Sequence, residues 1–295
     1  MFDFKSIYEA SSVGNAIDLM KQHPNAKIIA GGSDILIKLR EGKLTGCELI
    51  SIQSIDEFRG ISIKDDRSIR IGALESFSHI AENKIINYNI PVLGEAAIAV
   101  GGPQVRNIGT IGGNICNGVT SADTASTLLA WDAVLELVSY EGLRYIPISK
   151  FYIDAGKVDI RQGELLTSVL ISKDSYLDFT GFYYKYSTRN AMDISVCNCS
   201  LNVKLSQDKK AIENVRVAYG AAGPVPVRAY SAEQTIKSRL ISSELIDEFA
   251  EVVINNLNPR SSYRADREFR KHIIKEITTK CLTESLRRGG AYGTI

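Results

Sequence analysis

Ile28-Ile29-Ala30-Gly31-Gly32-Ser33-Asp34 and Gly101-Gly102-Pro103-Gln104-Val105-Arg106-Asn107-Ile108-Gly109-Thr110-Ile111-Gly112-Gly113-Asn114 are the two stretches on which the reading of this chain turns. In the first, a short apolar run from Lys27 stops at two glycines and a short polar side chain, the pattern of a strand meeting a tight loop. Glycine allows positive φ and lets a ligand lie against the backbone. Successive N–H groups in such a turn form an anion-binding concavity. Alone, the pattern also fits a plain turn. The second stretch holds five glycines in fourteen residues, a density that conformational entropy disfavours unless something needs the close backbone approach. A pair of adjoining turns is the simpler alternative. A phosphate-bearing ligand lying between the two loops accounts for both at once. Neither loop has the spacing G-x-G-x-x-G or G-x-x-x-x-G-K-[ST], so neither a Rossmann dinucleotide site nor a P-loop is indicated.

Around these loops the chain alternates helical and strand patterns. Ser12 precedes Val13, Ala16, Ile17 and Met20, a capped amphipathic helix ended by His23-Pro24-Asn25. Leu49 to Ile52 reads as a strand, and residues 61–74 alternate as a hairpin. Ser76 caps a helix, Pro91 opens another, and residues 123–131 continue the helical pattern. Strands follow at 133–138, 143–148 and 165–172. The polar stretch Lys173 to Asp178 suggests a domain boundary. Beyond it lie long β-type runs (181–187, 194–205, 215–221) and two helices, Ser242 to Asn256 and Asp266 to Arg288. The expected organisation is an α+β domain over 1–175 in two parts, about 1–55 and 56–175. A sheet-plus-helices domain follows over 178–288, with a flexible tail at 289–295.

Composition narrows the function. The 295 residues carry 35 Lys plus Arg against 34 Asp plus Glu, a net charge of +1, which offers nothing to nucleic acid or an anionic membrane surface. No segment approaches the ~20 apolar residues needed to span a bilayer. The opening residues do not form a signal peptide, and a cytoplasmic location is expected. The five cysteines, Cys47, Cys116, Cys197, Cys199 and Cys281, are odd in number and scattered, neither a disulfide framework nor a four-thiolate cluster site. Any iron–sulfur cluster is therefore expected in another subunit. Cys197 and Cys199 share one face of a strand and read as small buried residues. His23, His79 and His272 are isolated. Arg260, Arg264, Arg267 and Arg270 form a basic face that is either solvated or a partner-docking surface. Trp131 reads as core.

The same residues carry a family resemblance. The opening F-D-F, A-G-G-S-D at 30–34, G-P-Q-V-R-N-I-G-T-I-G-G-N-I-C-N-G at 102–118, S-A-D at 121–123, R-N-A-M-D-I-S at 189–195 and P-R-S-S-Y-R-A at 259–265 resemble the FAD-binding medium subunits of bacterial xanthine dehydrogenases. More broadly they are similar to the flavoproteins of the molybdenum hydroxylase family. The one departure noted is Ser33, where threonine is usual. The resemblance implies a vanillyl-alcohol oxidase (PCMH) type FAD-binding domain of two subdomains, followed by a C-terminal antiparallel sheet with helices. It places Lys27, Ile28, Ile29, Ala30, Gly31, Gly32, Ser33, Asp34 and Ile35 along the FAD pyrophosphate. Gly101, Gly109, Thr110, Gly112, Gly113, Asn114 and Cys116 would complete the cradle, with side-chain bonds from Thr110 and Asn114. Asp123, Leu165 and Leu166 would contact the cofactor, and Lys185 would sit close to the flavin, its charge favouring negative charge on the ring.

By the same resemblance, the partners are a molybdopterin-binding large subunit and a small subunit with [2Fe–2S] clusters, with NAD as an acceptor. No general acid or base is needed in this chain. The expected activity is electron transfer through FAD in a xanthine dehydrogenase complex. The alternatives are a related hydroxylase acting on nicotinate, carbon monoxide or another substrate, and a flavin-binding assembly protein without turnover.

Overall fold

The computed structural model describes residues 2–291. The chain opens with β1 (Phe4–Glu9), α1 (Val13–Gln22), β2 (Lys27–Ile29), α2 (Ile35–Arg40) and β3 (Cys47–Ser51). These strands make a parallel sheet in the order β1-β3-β2. Ser12 caps α1 by accepting from Asn15 N–H at 3.2 Å, a device that stabilises a helix by about 1 kcal/mol. The sequence pattern missed β1. Its residues Lys5, Ile7 and Glu9 are exposed on one face, so a strand at a sheet edge lacks the apolar alternation that would announce it.

The second part runs β4 (Ile61–Ile63), β5 (Ile69–Gly72), α3 (Phe77–Glu82), α4 (Lys84–Asn89), α5 (Pro91–Ile98), α6 (Pro103–Ile108), α7 (Ile111–Cys116), α8 (Asp123–Ala130), β6 (Val134–Ser139), β7 (Gly142–Pro147), β8 (Tyr152–Asp154), β9 (Lys157–Val158) and β10 (Leu165–Ile171). Its antiparallel sheet is ordered β4-β5-β10-β6-β7, so the last strand lies at the centre. The excursion between β5 and β6 therefore leaves the sheet as six helices and returns, carrying the second glycine stretch with it. One core buries Ile69, Ile71, Leu135, Leu137, Val169 and Trp131 beneath those helices. A separate core joins the first part to the second: Ala16, Ile50 and Ile52 pack with Phe58, Leu74 and Leu165.

After a short α9 (Lys173–Tyr176) come β11 (Phe179–Tyr186), β12 (Cys197–Leu205), β13 (Ala211–Gly220), β14 (Val227–Arg228), α10 (Tyr230–Ile236), β15 (Arg239–Leu240), α11 (Ser243–Asn256) and α12 (Arg267–Gly289). The antiparallel sheet is ordered β11-β12-β13-β14, with β15 beside β13. Cys197, Cys199 and Cys281 are buried in its core with Tyr219, Phe249 and Ile274. Gly289 closes α12 and Gly290, at φ +85°, caps it. Of the expected tail 289–295, residues 292–295 lie outside the described residues. Among the described residues no helix is long and apolar enough to cross a membrane.

This last layer is bonded to α8 through buried polar groups. Asn198 Oδ1 accepts from the Ser126 hydroxyl at 2.7 Å and from Gly220 N–H at 3.0 Å. Asn202 Nδ2 donates to Ala130 O at 3.2 Å. Just past the helix, Asp132 pairs with Arg216 at 3.2 Å and with Arg228. Gly181 of β11 lies so close to β12 that a Cβ there would stand 2.1 Å from Asn202 Oδ1.

Candidate functional site

The first glycine loop leaves β2 at Ala30 and enters α2 at Ile35. Gly32 has φ +74°, a conformation that glycine adopts without the steric penalty of a Cβ. The N–H groups of Gly31, Gly32, Ser33, Asp34 and Ile35 have no hydrogen-bond partner among the described residues, while the next, Leu36, donates to Gly32 O. Five consecutive free donors on a half-buried bend form a ready anion cradle. Asp34 pairs with Lys38 at 2.6 Å, and Lys38 also donates to Asn117 Oδ1 at 3.0 Å, tying α2 to the residue after α7.

The second stretch does not form the adjoining turns that were one reading of it. It folds into α6 and α7, joined at Gly109-Thr110. Pro103 sits in the first turn of α6, and Thr110 caps α7 by accepting from Gly113 N–H at 3.1 Å. The glycines serve close packing. A Cβ on Gly31 would lie 1.6 Å from Ile108 O, and one on Gly112 would lie 2.7 Å from Ala73 O. The two loops therefore touch, Gly31 against Ile108 and Gly109.

The division of labour between them is narrower than the sequence suggested. In the second loop, Ile111 N–H donates to Glu75 O, Gly112 to Ala73 O, Gly113 to the Thr110 hydroxyl oxygen and Asn114 to Thr110 O. The consecutive run of free amides belongs to the first loop. The second contributes the Thr110 O–H, the Thr110 N–H and the Asn114 side-chain NH₂, since Asn114 Oδ1 already accepts from Thr124 at 2.7 Å. Exposed Gly113 leaves its side of α7 open, with only the Thr110 hydroxyl near the place of a Cβ.

Asp123, the first residue of α8, is buried and forms an ion pair with Lys185 of β11 at 2.8 Å. Tyr183, two residues earlier on the same face of β11, donates its hydroxyl to Asp123 Oδ1 at 2.9 Å. Lys185 also donates to Ala99 O at 2.9 Å. Burial raises the Asp123 carboxyl above its usual range, and the Lys185 charge and Tyr183 hydroxyl oppose that rise. Lys185 is thus a paired charge.

The remaining expected contacts differ in kind. Burial pushes the Cys116 thiol up to about 12, which makes it inert. Leu165 and Leu166 are 3% and 5% exposed and point into different cores. Gly101, at φ +46°, turns the chain from α5 into α6. The sequence reading missed Lys38, Asn117, Thr124 and Tyr183. For Tyr183 the signal was present, since residues i and i+2 share a strand face.

The residues therefore suit a diphosphate-bearing cofactor: a cradle of free amides, two closely apposed loops and a buried polar cluster nearby. Comparison with known proteins agrees. Residues 2–173 match the family described as the FAD binding domain in molybdopterin dehydrogenase, and residues 182–285 match the CO dehydrogenase flavoprotein C-terminal domain. The chain is 38% identical to the xanthine dehydrogenase FAD-binding subunit of Escherichia coli O157:H7, over 98% of this chain and 99% of that one. It is 28% identical to the glyceraldehyde dehydrogenase medium chain of Sulfolobus acidocaldarius, covering 95% of this chain and 97% of that one. In fold it is similar to carbon monoxide dehydrogenase from Hydrogenophaga pseudoflava, with a TM-score of 0.92, 24% identity, and coverage of 98% and 99%.

Proposed function

Because this chain belongs to the FAD-binding subunits of the molybdopterin dehydrogenase family, we propose that it is the electron-transfer subunit of a xanthine dehydrogenase type complex. In that complex a large subunit carries molybdopterin and a small subunit carries [2Fe–2S] clusters. When bound, FAD supplies the redox chemistry, taking electrons from those clusters and giving them to NAD or another acceptor. Xanthine or a related purine is the substrate of the whole, bound by the large subunit. The location is cytoplasmic. The boundaries near residue 55 and at 175–178 belong to the same reading.

This chain's own part is to hold and orient. The free amides of Gly31 to Ile35 bind the pyrophosphate by charge-assisted hydrogen bonds, stronger than neutral ones. Thr110 and Asn114 add side-chain donors across the gap, and Lys27, Ile28, Ile29, Leu165 and Leu166 line the approach through their backbones. Asp123 and Lys185 meet the ring end. The single observation behind the reading is the run of five amides without a partner among the described residues, its first residue, Gly31, held against Ile108-Gly109.

Purified chain should be yellow, and acid should release the flavin intact. Gly113→Val should lose FAD, because the new side chain occupies the open face of α7, while the fold of the C-terminal sheet persists. Full flavin content in that variant would refute the site. Isolation of the complex, with assays of molybdenum, iron and purine oxidation, tests the assembly: a chain that purifies alone, with no molybdenum-containing partner, would refute it.

A further inference from the structure

We propose that Tyr183, Asp123 and Lys185 form a charge-balanced clamp that delivers one hydrogen-bond donor to the bound flavin without a net positive charge, and that Tyr183 is the positioning residue of this clamp. The inference rests on the reading of the site as an FAD site and adds to it a means of setting the cofactor's potential.

An ammonium has three N–H donors. Lys185 uses two, toward Asp123 Oδ2 at 2.8 Å and Ala99 O at 2.9 Å. The third has no partner among the described residues, although the side chain is only 12% exposed. A nearly buried ammonium with an unused donor calls for an acceptor from outside the chain, a carbonyl oxygen or an aromatic nitrogen. Its position fits a ligand held by the two loops. Ala99 directly precedes Val100-Gly101-Gly102, where the second glycine stretch begins. Thr124, next to Asp123, is bonded to Asn114 of that stretch.

The clamp also explains why the charge is paired. Burying two opposite charges costs more than their attraction returns unless the remaining lone pairs and protons are satisfied. Tyr183, 6% exposed, satisfies Asp123 Oδ1, and its hydroxyl has no other partner among the described residues. A lone ammonium would favour electrons on the ring, which bring negative charge. An ammonium paired at 2.8 Å presents a short dipole instead. The donor is kept and most of the field is cancelled.

The test is a spectroelectrochemical titration of the full chain with FAD bound, with the flavin-to-protein ratio measured alongside. Asp123→Asn should raise the midpoint potential by at least tenfold in the oxidised-to-reduced ratio, which for a two-electron couple is about 30 mV. Lys185→Met should lower it. Tyr183→Phe, which leaves both charges in place and should fold, should raise it by less, because the carboxylate loses a donor and shifts toward its neutral form. Shifts of opposite sign from the acid and the base support the clamp. Flavin bound one to one with unmoved potentials, or with Asp123→Asn and Lys185→Met moving the potential the same way, overturns the clamp alone. A wild-type chain that takes up no flavin at saturating FAD overturns the FAD reading and the clamp together.

Discussion

At Gly31 an absent methyl group decides the relation of two loops. The place of its Cβ lies 1.6 Å from the Ile108 carbonyl oxygen, a backbone atom that cannot step aside like a side-chain tip. Gly31→Ala should therefore separate the loops, and flavin retained after gel filtration should fall at least tenfold while circular dichroism stays near wild type. Asp193 shows another kind of residue-scale control. It accepts from the Thr188 hydroxyl at 2.6 Å and from the N–H groups of Arg189 and Ile194, each at 2.9 Å. These donors, the Thr188 hydroxyl first, hold its carboxyl well below the usual range. A depressed carboxylate stabilises the folded loop above the unfolded pKa, about 3.9, and that contribution is lost as pH falls through the lower folded value. Protease cleavage within residues 187–195 should accordingly rise on acidification below about pH 4, and in Asp193→Asn it should be high and nearly independent of pH there. Unchanged cleavage in that variant would remove the loop-ordering role.

Among the elements, α7 is capped by Thr110. Thr110 satisfies Gly113 N–H in a six-residue helix that contains two glycines, each unfavourable in a helix by close to 1 kcal/mol. Thr110→Val should cost about 1 kcal/mol of stability by denaturant titration, and Thr110→Ser should recover most of it. Equal losses in both variants would show that the methyl group matters and the cap does not. Gly14 in α1 is the converse case, because no atom stands within 4 Å of a Cβ there. Gly14→Ala should leave flavin binding unchanged and raise stability by up to about 1 kcal/mol. The first loop was legible in sequence as a strand halted by glycine. The second stretch was not, because the same glycine density serves turns and close-packed helices alike, and only the contact of Gly112 with Ala73 O distinguishes them.

Across the whole molecule, the C-terminal sheet is fastened to α8 by buried polar groups as well as by apolar contact, with Tyr183 and Ala218 in the same core as Ala125 and Leu128. Asn198 alone bonds Ser126 and Gly220 N–H in a fully buried setting. Asn198→Ala would take that acceptor from the buried Gly220 N–H and leave the Ser126 hydroxyl only Asp123 O at 3.5 Å, a loss of about 1–3 kcal/mol for an unsatisfied buried donor. Thermal unfolding should then start earlier and separate into two steps, the C-terminal sheet first. A single transition at the wild-type temperature would mean that Asp132, with Arg216 and Arg228, carries the junction instead. The junction bears on function because β11 supplies Lys185 and Tyr183 to a carboxylate that belongs to α8. The ring end proposed for the site therefore exists only while the two layers stay docked.

Local chemistry alone determined much of this protein. Period-two and period-3.6 patterns, caps at Ser12, Ser76 and Ser242, and turn residues placed most strands and helices, because each depends on neighbours a few residues away. The glycine loops pointed to a phosphate-bearing ligand for the same reason, since the freedom to take positive φ belongs to the local backbone. Tertiary structure decided which amides remained free and which α7 took for itself. It also decided that Leu165 and Leu166 turn into two cores, and that Lys185 meets Asp123 across 62 residues of chain. Those outcomes depend on which backbone donor finds which acceptor and on which charges are brought out of water together, and no window of sequence holds both partners.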